Sequence, residues 1–380
     1  MRIGQDILAS RGPAAAFAAM GLYWGGFAAL VPDLKSQAGL TDEGFGLAML
    51  VSTCGAVAAM WAAPVADRHL GRAAMPLLGL ATALAFLTPG LATGWWGFAL
   101  GMALAGAAVG CLDVVMNARL AALEVTRGRP LMNLNHGLYS FVYAGSALVT
   151  GVSREAGAAP LAVFSGLGLV TLALVVVMAT APLVQDHAAR AAKAAVSAWP
   201  LVLPGGLIVM IGFLTEQAAE GWSALHLERN LGAGAAAGSM GPALLGFTMG
   251  MGRLFGQALA HRFPEPAVIR IGAGVAAVGA LLAGFAPAVW VAYAGFAVLG
   301  LGASVIVPMA FAFVAARVPA PQRARAISHL SVIGYAGFFL GPPLMGFLSG
   351  LFGLGAAFGT VAVILALIPA ALVGWMRRGA

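Results

Sequence analysis

A carboxylate inside a long apolar run needs a partner or a task. The stretch WWGFALGMALAGAAVGCLDVVMNARLAA (95–122) carries no charged residue before Asp113. Asp113 and Asn117 stand four residues apart, so on a helix they share one face. Glu216 and Glu220 repeat that spacing, and Arg253 stands alone in GMGRLFG. An ionisable group in a bilayer costs roughly 2.5–3.5 kcal/mol on insertion scales, so it faces a cavity or a counter-charge. The chemistry these residues offer is proton binding and solute recognition. A low-dielectric site favours the protonated carboxyl, and two carboxyls one turn apart disfavour joint ionisation. Asp113, Glu216 and Glu220 are therefore the proton-coupling candidates.

Each has a plainer alternative. Asp113 could be a structural partner of Arg119 or Arg253, rather than a cavity carboxylate that takes a proton or a solute hydroxyl. Glu216 and Glu220 could mark a wet helix end, with Glu220 nearer the mouth. Arg253 could snorkel to the surface or neutralise a carboxylate, with Asp113 the candidate. Trp222 reads as an interface anchor. The substrate-cavity candidates are Asn117, Tyr23, Trp24, Tyr139, Tyr143, Gln217, Gln257 and Tyr335. Rings stack on the apolar face of a sugar-like solute and amides bind its hydroxyls, although rings at helical spacing also serve packing. His136 and His329 fit gate or packing roles better than solute binding.

The elements that must hold these residues follow from composition. The chain has 380 residues, 61% hydrophobic and 9% charged, against roughly 25% charged in soluble domains. That excludes one large soluble domain and points to an all-α integral membrane protein. We expect twelve transmembrane helices near 12–31, 44–64, 73–91, 95–122, 132–153, 160–181, 201–227, 236–260, 267–287, 290–316, 326–349 and 355–376. The 53 glycines suit close helix approach in lipid. LPGG (203–206) predicts a kink. The two cysteines, Cys54 and Cys111, supply neither a disulfide framework nor metal spacing.

Sixteen Lys and Arg residues fall on one face of this topology and three on the other, namely Lys35, Arg154 and Arg229. The rich face, with both termini, is expected in the cytoplasm. The net charge of +7 is accounted for by orientation, so no nucleic-acid partner is expected. The Ala-rich, basic segment 182–200 reads as a cytoplasmic linker with a short surface helix. It separates a six-helix bundle at 1–181 from another at 201–380. The halves look like repeats. A shift of 194 residues puts Trp96 on Trp290, Gly101 on Gly295, Gly106 on Gly300 and Arg68 on Arg262. A shift of 193 puts His136 on His329. Position 113 overlays Val307 and Asn117 overlays Phe311, so the repeat itself does not require polar groups there.

With those residues in view, the chain resembles the major facilitator superfamily over its whole length. APVADRHLGR (63–72) is similar to the superfamily's signature loop, with Ala63 where Gly is usual and one extra residue between Arg68 and Gly71. The resemblance implies that Asp67, with Arg68 and Arg72, belongs to a cytoplasmic gate, Asp67 near the start of the eleventh helix. Arg253, His136 and His329 join them as gate or ion-pair candidates. GYAGFFLGPPLMG (334–346), EQAAEGWSALHLERNLGA (216–233), LDVVMN and NLNHGLYS look like an uncharacterised bacterial branch related to fucose-permease-like and bypass-of-stop-codon members. Met102 stands where many proton-coupled members carry Arg, and 136–151 lacks the Pro of drug/proton antiporters.

The expected function is secondary active transport of a small polar organic solute, sugar-like by preference, by alternating access and proton symport. Proton-coupled efflux of drugs or amphipathic metabolites is the alternative. A non-transporting sensor or lipid-handling protein is the alternative of another class. No catalysis is expected, and no cofactor or metal beyond a coupling proton. The partners are a small-molecule substrate and the lipid bilayer, the chain is expected to be a monomer, and the expected location is a bacterial-type cytoplasmic (inner) membrane.

Overall fold

The computed structural model describes residues 3–182, 198–260 and 262–379, with the side chains of Ile3, 256–260 and Ala320 outside the description. Among the described residues all regular structure is helical. After a short α1 (Ile3–Ala9) come α2 (Arg11–Gln37), α3 (Asp42–Leu70), α4 (Ala74–Leu91), α5 (Gly94–Arg127), α6 (Met132–Glu155) and α7 (Pro160–Thr180). Then follow α8 (Trp199–Leu231), α9 (Ala235–Ala260), α10 (Glu265–Gly284), α11 (Val289–Arg317), α12 (Ala320–Leu367) and α13 (Val373–Arg378). The expected surface helix at 182–200 falls almost wholly outside the described residues.

Local chemistry sets the helix ends. The Thr41 hydroxyl accepts the Gly44 N–H at 3.0 Å and starts α3. Gly128 takes φ +62° and closes α5. Gly353, at φ +81°, breaks α12 into two helical pieces, a conformation that costs a glycine least. Several helices outrun their expected bounds. α3 continues through Pro64 to Leu70, so the stretch read as the 63–72 loop is mostly helical. Arg68 and His69 in its last turn complement the carbonyl end of the helix. The LPGG kink does not interrupt α8, which carries Pro204 in its interior.

Among the described residues, eight stretches are long and apolar enough to cross a membrane. Two of them, Asp42–Leu91 and Pro321–Arg378, run 50 and 58 residues. A 50-residue helix would be about 75 Å long, against a hydrocarbon core of about 30 Å. Each contains a positive-φ glycine, Gly71 or Gly353. α6 and α9 have spanning length, 24 and 26 residues, but are less apolar than those eight. They pack on each other and bury polar side chains, among them Asn135, Ser140, Thr150 and Ser239.

Large apolar side chains stand outside, with Trp61 81% and Trp290 73% exposed. In water that would be a liability; against lipid it is the expected outer surface. Small residues set the close crossings. A Cβ on Gly110 would lie 2.5 Å from the Ala56 carbonyl, fixing α5 against α3. A Cβ on Gly46 would lie 2.5 Å from the Pro342 carbonyl, fixing α3 against α12.

Candidate functional site

A cavity of about 200 Å³ lies where α2, α3, α5, α6, α8 and α12 meet. Its charged lining is Asp113 from α5 with Glu216 and Glu220 from α8. Trp24, Tyr139, Tyr335 and Phe338 supply rings, and Ser52, Thr53 and Gln217 supply neutral hydrogen-bonding groups. The residues come from segments more than 200 positions apart in the chain, as with Trp24 and Tyr335.

Asn117 donates from Nδ2 to the Asp113 carboxylate at 2.9 Å, and to the Asp113 carbonyl at 2.9 Å. It sits one turn along α5 and steadies Asp113 rather than lining the cavity. Neither expected cation partner reaches Asp113. Arg119 pairs with Asp67 at 2.6 Å and donates to the Gly71 carbonyl at 2.5 Å. Asp113 and Arg119 are six residues apart and leave α5 on different faces. Arg253 donates to the Ser140 hydroxyl at 2.6 Å and to Glu216 at 3.4 Å. It is therefore a bridge from α9 to α6 and α8, and not a snorkelling residue.

Glu220 is not at a wet mouth. A small recess beside it is lined by Trp24, Phe27, Met49, Gln217 and Gly221. Beyond lies an aromatic plug: Phe27 stacks on Phe45 at 6.5 Å, and Trp222 meets Phe45 edge-on at 5.2 Å. Trp222 is 1% exposed, which corrects its reading as an interface anchor. An indole this deep packs as core. The Lys35 ammonium sits 5.4 Å from the Phe45 ring and 5.7 Å from the Trp222 ring.

Above the plug the end of the bundle is tied by ions. Asp42 binds Lys35 at 2.7 Å and Arg229 at 2.8 Å. Ser349 Oγ donates to the same carboxylate and accepts from Arg229 at 3.0 Å. One residue thus joins α2, α3, α8 and α12. Arg154 binds Asp33 at 2.6 Å and Glu228 at 2.7 Å, tying α6 to α2 and α8. The Glu155 carboxylate accepts the Ala236 N–H of α9 at 3.0 Å. At the opposite end the ion pairs Arg119–Asp67, Arg129–Asp6 and Arg317–Glu265 each join elements on the same side of residue 182.

Sequence reasoning treated Lys35, Arg154 and Arg229 only as the minority face of the charge count. A usable signal was present: Asp33, Asp42 and Glu228 stand at the same helix ends. Besides Asn117, three expected cavity residues are elsewhere or not described. Tyr23 is fully buried and stacks on Phe86 at 4.8 Å. Tyr143 is buried beneath Gly246. A phenol ring fills core volume as readily as it lines a cavity, and periodicity does not distinguish the two. The Gln257 side chain lies outside the described residues. His136 meets Phe17 edge-on at 4.8 Å, and His329 stacks on Trp199 at 5.1 Å. Asp67 is held by Arg119 rather than by the start of α12, and Arg68 and Arg72 are exposed.

Similarity to known proteins agrees with this architecture. An uncharacterised MFS-type transporter of Yersinia pestis is 31% identical over 365 residues, covering 93% of this chain and 92% of that one. The chain belongs to the major facilitator superfamily. The family model described as Major Facilitator Superfamily matches residues 205–379 of this superfamily member. Solved transporter structures share its fold. A bacterial homolog of the human lysosomal transporter Spinster, inward-facing and occupied, aligns with TM-score 0.74 at 14% identity, over 98% of this chain and 96% of that one. A D-xylose–proton symporter aligns with TM-score 0.74 at 15% identity, over 97% and 96%. This member is thus a multi-pass membrane transporter.

Proposed function

We propose that this superfamily member is a secondary transporter working by alternating access, with the cavity around Asp113, Glu216 and Glu220 as its solute site and a proton as coupling ion. Its twelve helices cross a bacterial inner membrane as six-helix units at 1–181 and 201–380, joined by 182–200, with both termini cytoplasmic. It acts as a monomer without an organic cofactor. The observation that carries this reading is the one-sided closure of the cavity. The plug and the Asp42 and Arg154 clusters join the two units at one end, whereas at the other end Arg119–Asp67, Arg129–Asp6 and Arg317–Glu265, among the described residues, each stay within a unit. By the distribution of Lys and Arg the tied end is outer, which makes this the inward-facing shape.

The favoured solute is small, polar and organic, taken up by proton symport. Trp24, Tyr139 and Tyr335 offer ring faces, and Ser52, Thr53 and Gln217 offer hydrogen bonds. The D-xylose–proton symporter among the fold neighbours fits the same picture. Asp113 is the first proton carrier to test, and Asp67 with Arg68 and Arg72 would form the inner gate when the outer one opens. The second reading is proton-coupled efflux of amphipathic compounds. It is favoured by Met20, Met49 and Met60 in the lining, since thioethers adapt to varied apolar shapes.

The test is uptake into proteoliposomes with and without an imposed proton gradient. Gradient-driven accumulation that is lost in Asp113→Asn supports symport. Solute binding that drives protons outward assigns antiport. Uptake indifferent to the gradient and unchanged in Asp113→Asn sinks the proton-carrier role.

A further inference from the structure

The charge balance of the cavity says more about the solute than its shape does. Three carboxylates line it, and no Lys, Arg or His does. Arg253, behind the wall, answers Glu216 at 3.4 Å. The hydrogen-bonding partner of Asp113 is the neutral amide of Asn117. Glu220 has no hydrogen bond or ion pair among the described residues. A carboxylate facing a low-dielectric cavity without a counter-charge is costly, and either a proton or a bound cation removes that cost.

The same molecule shows how it holds an ammonium. One layer above the cavity, the Lys35 ammonium is 2.7 Å from Asp42 and lies over the rings of Phe45 and Trp222. A carboxylate and two aromatic faces make the seat. Glu220, Trp24 and Phe27 meet at the recess with the same chemistry and no ammonium from the chain. The cavity, about 200 Å³, is below the roughly 300 Å³ of the smallest drug-sized sites. It has room for a small organic ion and not for a bulky one.

We propose that the cavity binds a small organic cation, its ammonium seated against Glu220 and Trp24 and its remaining polar groups reaching Gln217, Ser52 and Thr53. This rests on the cavity being the transport site and goes further by fixing the charge of the solute. Glu220 then holds the solute and Asp113 stays available for the coupling proton, so the two carboxylates have separate tasks.

The test uses the full chain in lipid nanodiscs and two matched pairs of probes, glucosamine against glucose and 2-phenylethylamine against 2-phenylethanol. Within each pair the frame is shared and an ammonium replaces a hydroxyl. Thermal-shift titration is expected to show the ammonium member binding at least about tenfold more tightly in one pair or both. Glu220→Gln should erase the preference while keeping a monodisperse elution and the probe-free melting temperature. Gly166→Ala, where nothing lies within 4 Å of a Cβ, should keep it. Equal or tighter binding of the neutral members, a preference that survives Glu220→Gln, or no binding by any of the four overturns the proposal. Proteoliposome flux separates this outcome from failure of the transport reading. Gradient-driven uptake of neutral sugars but not of ammonium solutes defeats the cation and leaves transport standing. No flux of either kind defeats transport itself.

Discussion

Asp42, in the first turn of α3, and Arg229, near the end of α8, share two hydrogen bonds of 2.8 and 2.9 Å. They are 187 residues apart in the chain, and their pairing closes one end of the cavity. Lys35 completes the cluster at 2.7 Å from the same carboxylate, so one buried anion answers two cations.

Asp42→Asn removes that anion and leaves Lys35 and Arg229 facing each other. Breaking a buried ion pair costs about 3–5 kcal/mol. Arg229 is 42% exposed at its side chain, so the expected shift is smaller, about 1–3 kcal/mol after screening. Spin labels at Ser36→Cys and Asn230→Cys, with Cys54 and Cys111 replaced by Ser, should report longer distances in Asp42→Asn. An unchanged distance distribution would show that the cluster does not hold the closed end.

Gly46→Val places a side chain where a Cβ already meets the Pro342 carbonyl at 2.5 Å. α3 and α12 cannot then keep their present approach. The same label pair should separate as it does in Asp42→Asn, with both clusters chemically intact. Gly166→Ala is the control, because nothing lies within 4 Å of a Cβ there, and it should leave the distances unchanged.

Arg253 and Glu216 should behave as a coupled pair. Arg253→Met leaves Glu216 beside the cavity without its cation and should lower the melting temperature. Adding Glu216→Gln should recover part of the loss. Neighbours in one network typically couple by about 0.5–3 kcal/mol, and additive effects would deny the pairing. The 3.4 Å separation predicts the low end of that range.

Asp113→Asn should keep the fold, since an amide fills the same volume on α5. Solute binding should persist while uptake loses its response to an imposed proton gradient. Counterflow, which needs no net proton movement, should remain near the parent rate. A variant that still concentrates solute in response to the gradient would move the coupling role to Glu216 or Glu220.

The sequence by itself determined the helical membrane class, the order of the helices and the identity of the buried carboxylates. Those follow from local quantities: the length of apolar runs, the cost of a charge in lipid, and the four-residue spacing of Asp113 with Asn117 and of Glu216 with Glu220. Spacing could not say which partner each charge meets. Arg119 is only six residues from Asp113 in the chain, yet it pairs with Asp67. Nor could it separate Trp24, which lines the cavity, from Tyr23, which packs on Phe86 one residue away. Only the tertiary structure gathered Lys35, Asp42, Arg229 and Ser349 into one cluster and turned Trp222 from a surface anchor into a plug. Burial and ion pairing arise from crossings between helices distant in sequence, and glycines such as Gly46 set how close those crossings come.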